Sequence, residues 1–488
     1  MLRARAFLLV LPLAYALYFF GLTNVGLVGP DEPRYAAIGR EMARSGDWIT
    51  PRLWGEPWFE KPALLYWMTG AAFRLGLGEH LAPRLPVALV SVAFLIFFYW
   101  ILRREFGDRA ALFATAILAT SAGWLSLSRI GLTDLPMSAA FSAAMLLSLG
   151  WMDRGERARL PVAAALLGAA VLAKGLVPLV LVLPLMWYGR KRLGDWIRPQ
   201  VVGAFLVVAL PWYLLCLARN GWAFVDEFFL EHQVERFTSD ALLHGQPFWF
   251  FIPVLIAALF PWTPAMVLLA RRSLYADSRR RFLLLWMIFG LVFFSLSTNK
   301  LPGYILPLVP AVAALSGIAL AEMKHARWVL GAGAALLVLV PPIAAMLPGA
   351  LASGLSRSPV PAFQWTWLLP LIAAAVVWYL ETMGQRTSAF TLLVLAITAC
   401  VVAIEFQTFP AIDRLASARP LWREIAADSD RVCVARLHRS LRYGLNYYSV
   451  TPLPDCRSVP REVQITQDPG SPPRLVSVSA VPASATRD

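Results

Sequence analysis

A series of about thirteen apolar runs, most of them near 20 residues long, constrains the fold of this chain more than any other feature. About 20 apolar residues are enough to cross the hydrocarbon core of a bilayer as one helix. Only 15% of the residues are charged, against about 25% in a typical soluble protein. We therefore predict an all-α polytopic membrane protein. The predicted spans are 6–28, 83–103, 109–127, 134–152, 160–173, 175–189, 199–218, 248–270, 281–297, 303–321, 327–347, 364–380 and 388–406.

The first run follows Arg3 and Arg5 and resembles a signal peptide at first sight. It is longer than the apolar segment of a signal peptide, and no small-residue cleavage site follows it. We interpret it as a retained span with its N-terminus in the cytoplasm. The pair of spans at 160–189 has an alternative, because Lys174-Gly175 is either a loop or a break inside one long hairpin.

The net charge of +14 would suggest a nucleic-acid partner in a soluble protein. No basic stretch is interleaved with base-stacking aromatic residues, so we expect no nucleic acid. Arginine instead gathers in alternate short loops, such as 103–109, 153–159, 190–198 and 271–281. This asymmetry follows the positive-inside rule. It predicts that these loops are cytoplasmic and that, with an odd number of spans, the C-terminus lies outside.

The chain divides into a membrane domain, residues 1–409, and a smaller segment, residues 410–488, in which hydropathy falls. The membrane domain includes two long outer loops, 24–82 and 219–247. The second segment has strand-like runs at 431–437 and 474–481, with a helix candidate at 438–449. We predict a small α/β domain with a disordered tail from about Pro482. Cys433 and Cys456 both fall in this domain, where a disulfide is one of two open possibilities.

Ionisable side chains are costly at membrane depth and deserve a functional hypothesis. In this topology they gather on one side of the membrane, near the ends of spans and in the two outer loops. That distribution predicts a single outward-facing site. The residues are Asp31, Glu32, Glu60, Lys61, Arg129, Asp134, Lys174, His232, Arg236, His244, Lys300 and Tyr304.

The residue types suggest chemistry on a phosphate. A carboxylate near an acceptor can act as a general base, and Asp31 and Asp134, with Glu32 beside Asp31, are the catalytic candidates. Arginine and lysine can bind a phosphate and stabilise the charge that builds up on it as a leaving group. The phosphate-binding candidates are Arg34, Lys61, Arg236 and Lys300, with Tyr304 as a hydroxyl donor.

Simpler interpretations compete with these. Asp31, Glu32 and Asp134 each stand at the start of a predicted helix, where acidic residues are favoured by the helix dipole. Glu60 and Lys61 would also fit a surface ion pair. His232 and His244 are either interfacial histidines or, with Glu60, ligands of a divalent metal such as zinc, although their spacing matches no metal motif.

The segment DEPRYAAIGREMARSGDWITPRLWGEPWFEKPALLYW, residues 31–67, closely resembles the first periplasmic loop of the bacterial aminoarabinose transferases of lipid A. These enzymes belong to the protein-mannosyltransferase-like superfamily of GT-C glycosyltransferases, which use polyprenyl phosphate. The resemblance continues in SRIGLTDLPM (128–137), in EHQVERF and HGQPFWFFIPVL (231–255) and in STNKLPGYILPLVPA (297–311). It covers most of the chain to about residue 320.

The resemblance implies a GT-C fold and transfer of 4-amino-4-deoxy-L-arabinose from undecaprenyl phosphate to lipid A, on the periplasmic face of the bacterial inner membrane. It implies Asp31 and Asp134 as the carboxylates near the reacting groups. It also implies that Arg34, Lys61, Arg236 and Tyr304 surround the donor phosphate, and that Glu60 and a histidine of 232–244 match a metal position. The alternative is the same donor class with another sugar, such as galacturonic acid or a hexose, or another acceptor.

The expected mechanism is direct displacement at the anomeric carbon with inversion, by a monomer among its membrane lipids. No Gly-rich nucleotide-binding loop is present in the sequence. A transporter would place charges at the bilayer midplane within repeated halves, and here they cluster at one interface. A non-catalytic scaffold, in which the charges serve only topology and packing, is the remaining alternative.

Overall fold

The structure is a computed structural model that describes residues 10–228, 245–468 and 471–477. It is mostly helical, as predicted. By length and composition, seven helices in the described part of the chain could cross a membrane, or eight if one bent pair counts as a single span. The seven are Leu85–Phe106, Asp134–Arg154, Pro199–Asn220, Pro302–Glu322, Arg327–Ser353, Trp365–Thr382 and Arg386–Gln407.

The predicted number of thirteen spans is not confirmed. Each predicted apolar run is at least partly helical, but the other runs are short, broken or rich in arginine at one end. They form Val10–Phe19, Asp108–Thr120 with Ala122–Leu127, Leu160–Lys174, Val177–Tyr188, Ser278–Leu296 and the bent pair Phe248–Ala258 and Thr263–Ala270. The bent pair turns by 116° next to Pro261, since proline removes a helical hydrogen bond and clashes with the preceding turn. A hydropathy window detects apolar runs but does not detect such breaks within them.

Two of the long helices form the centre of the bundle. In Asp134–Arg154 and Pro302–Glu322, 89% of the most apolar window is buried, against 11% in Trp365–Thr382. Small residues permit this close packing. At Gly317, an added Cβ would lie 2.3 Å from the backbone nitrogen of Ala114 on a neighbouring helix. The N-terminal ends of these two central helices carry Asp134 and, two residues in, Tyr304.

The loop of residues 24–82, here called the first loop, has secondary structure of its own. It contains the helices Asp31–Ser45, Leu64–Arg74 and Gly78–Leu81, and a small hairpin that pairs Arg52–Leu53 with Glu56–Pro57. Asp31–Ser45, the loop helix, ends at Gly46 in the left-handed conformation (φ +74°) that glycine adopts readily.

A buried ion pair connects the first loop to the bundle. Arg84 Nε lies 2.7 Å from Glu32 Oε1, and Arg84 Nη2 lies 2.8 Å from Glu32 Oε2. Arg84 also donates to the carbonyl oxygens of Leu22, Val25 and Gly26. Glu32 accepts from the backbone N–H of Val28 and, across the bundle, of Gly131. The pair therefore sets the position of the loop helix relative to the turn before Asp134.

The C-terminal residues form the small α/β unit that the sequence predicts. Strand Val432–Arg436 pairs in parallel with Val463–Thr466, which pairs antiparallel with Arg474–Ser477. The helices are Phe409–Ala416, Arg419–Ile425 and Arg439–Ser449. Cys433 and Cys456 form a disulfide. The sequence had left this pairing open. The domain boundary at residue 409 and the disordered tail stay predictions.

This C-terminal unit packs directly on the first loop. Arg419 donates to the carbonyl oxygens of Thr23 and Asn24 at 2.8 and 2.6 Å. Arg40 of the loop helix donates to the Tyr447 carbonyl at 2.7 Å, and the Tyr447 hydroxyl donates to the Glu79 carbonyl at 2.7 Å. The two parts of the chain therefore share one buried interface.

The Glu32–Arg84 pair gives a testable prediction for stability. Arg84→Met leaves the Glu32 carboxylate buried without its partner, and we expect the free energy of unfolding to fall by about 3–5 kcal/mol. SDS titration in mixed micelles measures this. Arg272→Met is the matched control, because Arg272 is exposed and makes no ion pair among the described residues. Equal SDS unfolding midpoints for Arg84→Met and Arg272→Met would contradict the assigned role of the Glu32–Arg84 pair.

A second prediction concerns pH. His80 lies beside the Tyr448 ring, and burial together with the charges of Arg419 and Arg84 lowers its pKa from 6.5 to about 4. A depressed histidine pKa means that the unfolded chain takes up the proton first as pH falls. The stability contributed by neutral His80 is therefore complete above pH 6.5 and is lost between pH 6.5 and 4. The thermal unfolding temperature of His80→Phe should therefore depend less on pH over this window than that of the unmodified chain. If the two unfolding temperatures change with pH in parallel, His80 is not a source of the pH dependence.

Candidate active site

A cavity of about 350 Å³, here called the charged cavity, lies where the first loop meets the central helices. Its volume is sufficient for a small-molecule ligand or headgroup. Charged and polar side chains line it together with apolar ones from the membrane helices. The lining residues are Asp31, Tyr35, Lys61, Thr133, Asp134, Met137, Lys174, Leu176, Val177, Val180, Phe293, Phe294, Ser297, Asn299, Leu301 and Tyr304.

Four of the predicted site residues therefore meet at one cavity: Asp31, Lys61, Asp134 and Tyr304. They come from four separate segments of the chain. Asp31 begins the loop helix, Lys61 precedes the helix Leu64–Arg74, and Asp134 and Tyr304 belong to the two central helices. The structure brings these four residues together at one cavity, and their roles in binding and catalysis stay predictions.

An alternating chain of charges leads from Asp31 to Lys61. Asp31 Oδ1 accepts from Arg34, whose Nη1 donates to Glu60 Oε2 at 2.9 Å. Glu60 Oε1 in turn accepts from Lys61 Nζ at 3.2 Å. Arg34 also stacks near the rings of Trp58 and Tyr443, with its Cζ 5.5 and 5.1 Å from their centroids. Arg34 and Glu60 do not line the cavity but hold the two residues that do.

Burial strengthens these interactions. Glu60 is 5% and Lys61 is 9% exposed, so the alternative interpretation of a surface ion pair is wrong. Burial by itself lowers the pKa of Arg34, but the carboxylates of Glu60 and Asp31 outweigh it and raise that pKa. Arg34 is therefore a permanent cation in this network.

A second ion pair, between Lys174 and Asp134, also lines the charged cavity. Lys174 Nζ lies 2.5 Å from Asp134 Oδ1, and it also lies 4.8 Å from the centroid of the Tyr304 ring. Gly303 leaves room for the Asp134 carboxylate, since a Cβ at Gly303 would lie only 2.8 Å from Asp134 Oδ1. Asp134 is the first residue of its helix, but Thr133 is the N-cap and no side chain caps the helix. Its carboxylate is thus oriented by Lys174, and the capping interpretation is not supported.

Two buried tyrosines, Tyr35 and Tyr66, lie near Asp31, Arg34 and Glu60. The rings of Tyr35 and Tyr66 pack edge to face with centroids 5.8 Å apart. Burial, followed by the negative charge of Glu60, raises the pKa of both phenols well above the ordinary value. Both therefore remain neutral at physiological pH, and Tyr35 can donate a hydrogen bond into the cavity.

Other predicted residues lie elsewhere. Glu32 is 1% exposed and bonded to Arg84, so it does not line the charged cavity. Lys300 is 6% exposed, and its Nζ donates to the carbonyl oxygen of Ser297. Arg236, His232 and His244 lie outside the described residues.

The described residues give no support to a metal site at Glu60. Within them, no group of three or more His, Cys, Asp and Glu side chains could hold a metal ion. Glu60 is flanked by Arg34 and Lys61, and two neighbouring cations disfavour a third positive charge. We therefore assign no chemistry to a metal here.

Five polar cavity residues have no catalytic or phosphate-binding role among the sequence predictions: Tyr35, Thr133, Lys174, Ser297 and Asn299. Lys174 has a visible signal in the sequence, because a lysine interrupts an apolar run there and belongs to the charges predicted on the outer side. Tyr35 follows Arg34 without any pattern that marks it. Asn299 precedes Lys300, and the sequence alone does not show which of two adjacent polar residues faces a cavity.

This arrangement can bind a phosphate and an acceptor together. Lys61 and Lys174 provide two cations, and Asp31 and Asp134 provide two carboxylates, all in contact with one cavity. Leu176, Val177, Phe293 and Phe294 provide apolar walls suited to a lipid chain.

The profile of the dolichyl-phosphate-mannose-protein mannosyltransferase family matches residues 4–223. Curated bacterial proteins are also similar to this chain. The undecaprenyl phosphate-alpha-4-amino-4-deoxy-L-arabinose arabinosyl transferase 2 of Pseudomonas fluorescens is 35% identical over 327 residues, 63% of this chain and 55% of that protein. The transferase of Pseudomonas aeruginosa is 34% identical over 331 residues, 64% of this chain and 59% of that protein.

Among solved structures, ArnT from Cupriavidus metallidurans bound to undecaprenyl phosphate is 27% identical, with a TM-score of 0.74 over 91% of this chain and 85% of that one. In sequence and in fold, the chain is similar to these aminoarabinose transferases. The apo structure of the same ArnT is 24% identical, with a TM-score of 0.76 over 96% and 94% of the chains, and confirms the fold. The chain spans only 55% to 59% of the length of these two curated relatives.

The Asp134–Lys174 pair can be tested by a double-mutant cycle. Asp134→Asn and Lys174→Met each leave the other charge without its partner in a mostly buried place. The double variant should therefore lose less stability than the two single losses combined, by about 1–3 kcal/mol. SDS titration in mixed micelles of the three variants gives this coupling energy. Additive losses would show that the two groups do not interact.

Proposed function

We propose that this ArnT-like chain is a membrane glycosyltransferase that moves a sugar from undecaprenyl phosphate to lipid A. The donor sugar proposed is 4-amino-4-deoxy-L-arabinose. One observation carries the proposal: two carboxylates and two lysines from separate segments meet in one cavity with apolar walls. The names of the curated relatives and the undecaprenyl phosphate bound to the Cupriavidus metallidurans ArnT support the choice of donor.

The proposed reaction is a single displacement with inversion. The acceptor oxygen forms a bond to the anomeric carbon while the bond from that carbon to the phosphate oxygen breaks. Polyprenyl phosphate leaves with the bonding electrons, and Lys61 and Lys174 stabilise its growing negative charge. Tyr304 and Tyr35, which line the same cavity, donate hydrogen bonds to phosphate oxygens in this proposal.

The role of the carboxylates depends on the acceptor. A phosphate acceptor is already ionised, so Asp31 orients it and balances the lysine charges. A hydroxyl acceptor must lose a proton, which Asp31 or Asp134 accepts as general base. We assign Glu32 to positioning the loop helix and propose Arg34, with Arg236, as support for the phosphate-binding groups.

We also propose that the cavity faces the periplasm from the bacterial inner membrane and that the enzyme acts as a monomer. The arginine-rich loops on the opposite side of the predicted topology support this orientation. Reporter fusions at Gly155 and Gly245 test it, since the two positions must report opposite sides.

The catalytic proposal is tested by substitution in the cavity. Asp31→Asn and Lys61→Ala should each lower sugar transfer by a factor of about 100 or more, because both act on charge in the transition state. Mass spectrometry of lipid A from a deletion strain carrying each variant measures transfer. The matched controls are Asp430→Asn and Lys324→Ala, at exposed positions away from the cavity.

If Asp31→Asn is present in the membrane at the normal level and transfers the sugar normally, the active site is not at Asp31. Unaltered lipid A with a sugar missing from another glycolipid, from the core or from a protein would instead support the alternative acceptor or sugar. Either result would leave the fold assignment intact.

A further inference from the structure

A second cavity lies on the far part of the loop helix, between the first loop and the C-terminal unit. It has a volume of about 230 Å³. We call it the arginine cavity, because two guanidinium groups contribute to its lining. The lining residues are Ala37, Arg40, Glu41, Arg44, Trp54, Gly55, Val450, Thr451 and Pro452.

Arg40 is a buried cation with an unused donor. It is 5% exposed, and its Nη2 donates to the Tyr447 carbonyl while its Nη1 has no hydrogen-bond partner among the described residues. No carboxylate in the described part of the chain forms an ion pair with it. A buried charge without a counter-ion is costly, and a bound anion would remove that cost.

The remaining polar groups of the cavity also favour an anion. Arg44, one helical turn further on, is exposed and makes no hydrogen bond or ion pair with the described residues. The Trp54 indole Nε1 is buried without a partner in the same described ranges. Glu41 is the one opposing charge in the lining, and its carboxylate accepts from the backbone N–H of Gly55 at 3.1 and 3.4 Å. The net charge of the lining is thus +1.

Two residues that line the arginine cavity, Trp54 and Val450, have strained backbone conformations. Trp54 has φ +57° and Val450 has φ +66°, in the left-handed region that side chains rarely adopt. A β-branched valine is especially unfavourable there. Such strain persists only where the surroundings enforce it, and it concentrates at ligand sites.

We propose that the arginine cavity binds a phosphate group, and that this group belongs to the glycolipid acceptor. The identification as an acceptor site rests on the function proposed above. Arg40 lies nine residues after Asp31 on the same helix, which corresponds to about 14 Å. An acceptor that presents one group to the charged cavity could therefore be held by a second, remote phosphate at Arg40 and Arg44.

Binding is tested with the full chain in nanodiscs of zwitterionic phosphatidylcholine. The two probes are inorganic phosphate and lipid A, the latter with two phosphates or with one. Arg44→Ala should weaken binding of the phosphate probe about threefold to fivefold, as expected for an exposed charge. Arg272→Ala is the matched control. Arg40→Gln should weaken binding more, with its melting temperature measured to confirm folding.

Glu41→Gln makes the test sharper because it predicts a gain. Glutamine keeps an oxygen that can accept from Gly55 and removes the negative charge, so phosphate should bind more tightly. Trp54→Phe keeps the ring and removes the indole donor, so phosphate should bind more weakly. A merely structural role for these residues would not produce opposite changes in affinity.

Steady-state transfer separates the two proposals. If the site holds the acceptor, Arg44→Ala raises KM for bisphosphorylated lipid A about threefold to fivefold and leaves the donor KM and kcat unchanged. Binding that depends on Arg44 in a chain without transfer activity would support the phosphate site and overturn the proposed function. Binding of inorganic phosphate that depends on Arg44, together with a KM for lipid A that does not, would identify free phosphate as the ligand and overturn the assignment to the acceptor. No effect of Arg44→Ala or Glu41→Gln on either probe would overturn the proposal.

Discussion

The buried pair of Glu32 and Arg84 is the interaction on which the rest of the structure depends. It joins the segment after the first apolar helix, the loop helix and the turn that contains Gly131. Glu32 and Arg84 are buried, so each charge must be paired to offset the loss of hydration. Asp31 is adjacent to Glu32, and Asp134 follows Gly131 by three residues. The Glu32–Arg84 pair therefore helps to bring the two catalytic candidates, Asp31 and Asp134, to the same cavity.

Neighbouring acidic residues have separate tasks in this arrangement. Asp31 retains an exposed side-chain fraction of 38% and lines the charged cavity, whereas Glu32 is buried in the scaffold. Glu60 and Lys61 divide similarly, with Glu60 between two cations and Lys61 at the cavity wall. In each case one residue positions the other. The cost of burying these charges is offset by alternating their signs.

The C-terminal unit contributes to the first loop more than its small size suggests. Tyr443 stacks on Trp54 and lies near Arg34, and Tyr447 accepts from Arg40. The loop helix is thus held from the bundle side by Arg84 and from the other side by tyrosines. Both cavities lie along this one helix, which gives a physical route by which the C-terminal unit can affect the reaction site.

The sequence by itself determined the membrane class, the apolar runs and the residues whose charge needs an explanation, because hydropathy and scarce charges are local properties. It also indicated the convergence of Asp31, Lys61, Asp134 and Tyr304. It did not determine that Pro261 lies at a 116° bend, that Glu32 is structural or that Lys174 pairs with Asp134. Those outcomes depend on which side of a helix faces which neighbour. Only tertiary packing, which buries one of two adjacent carboxylates and exposes the other, decides that.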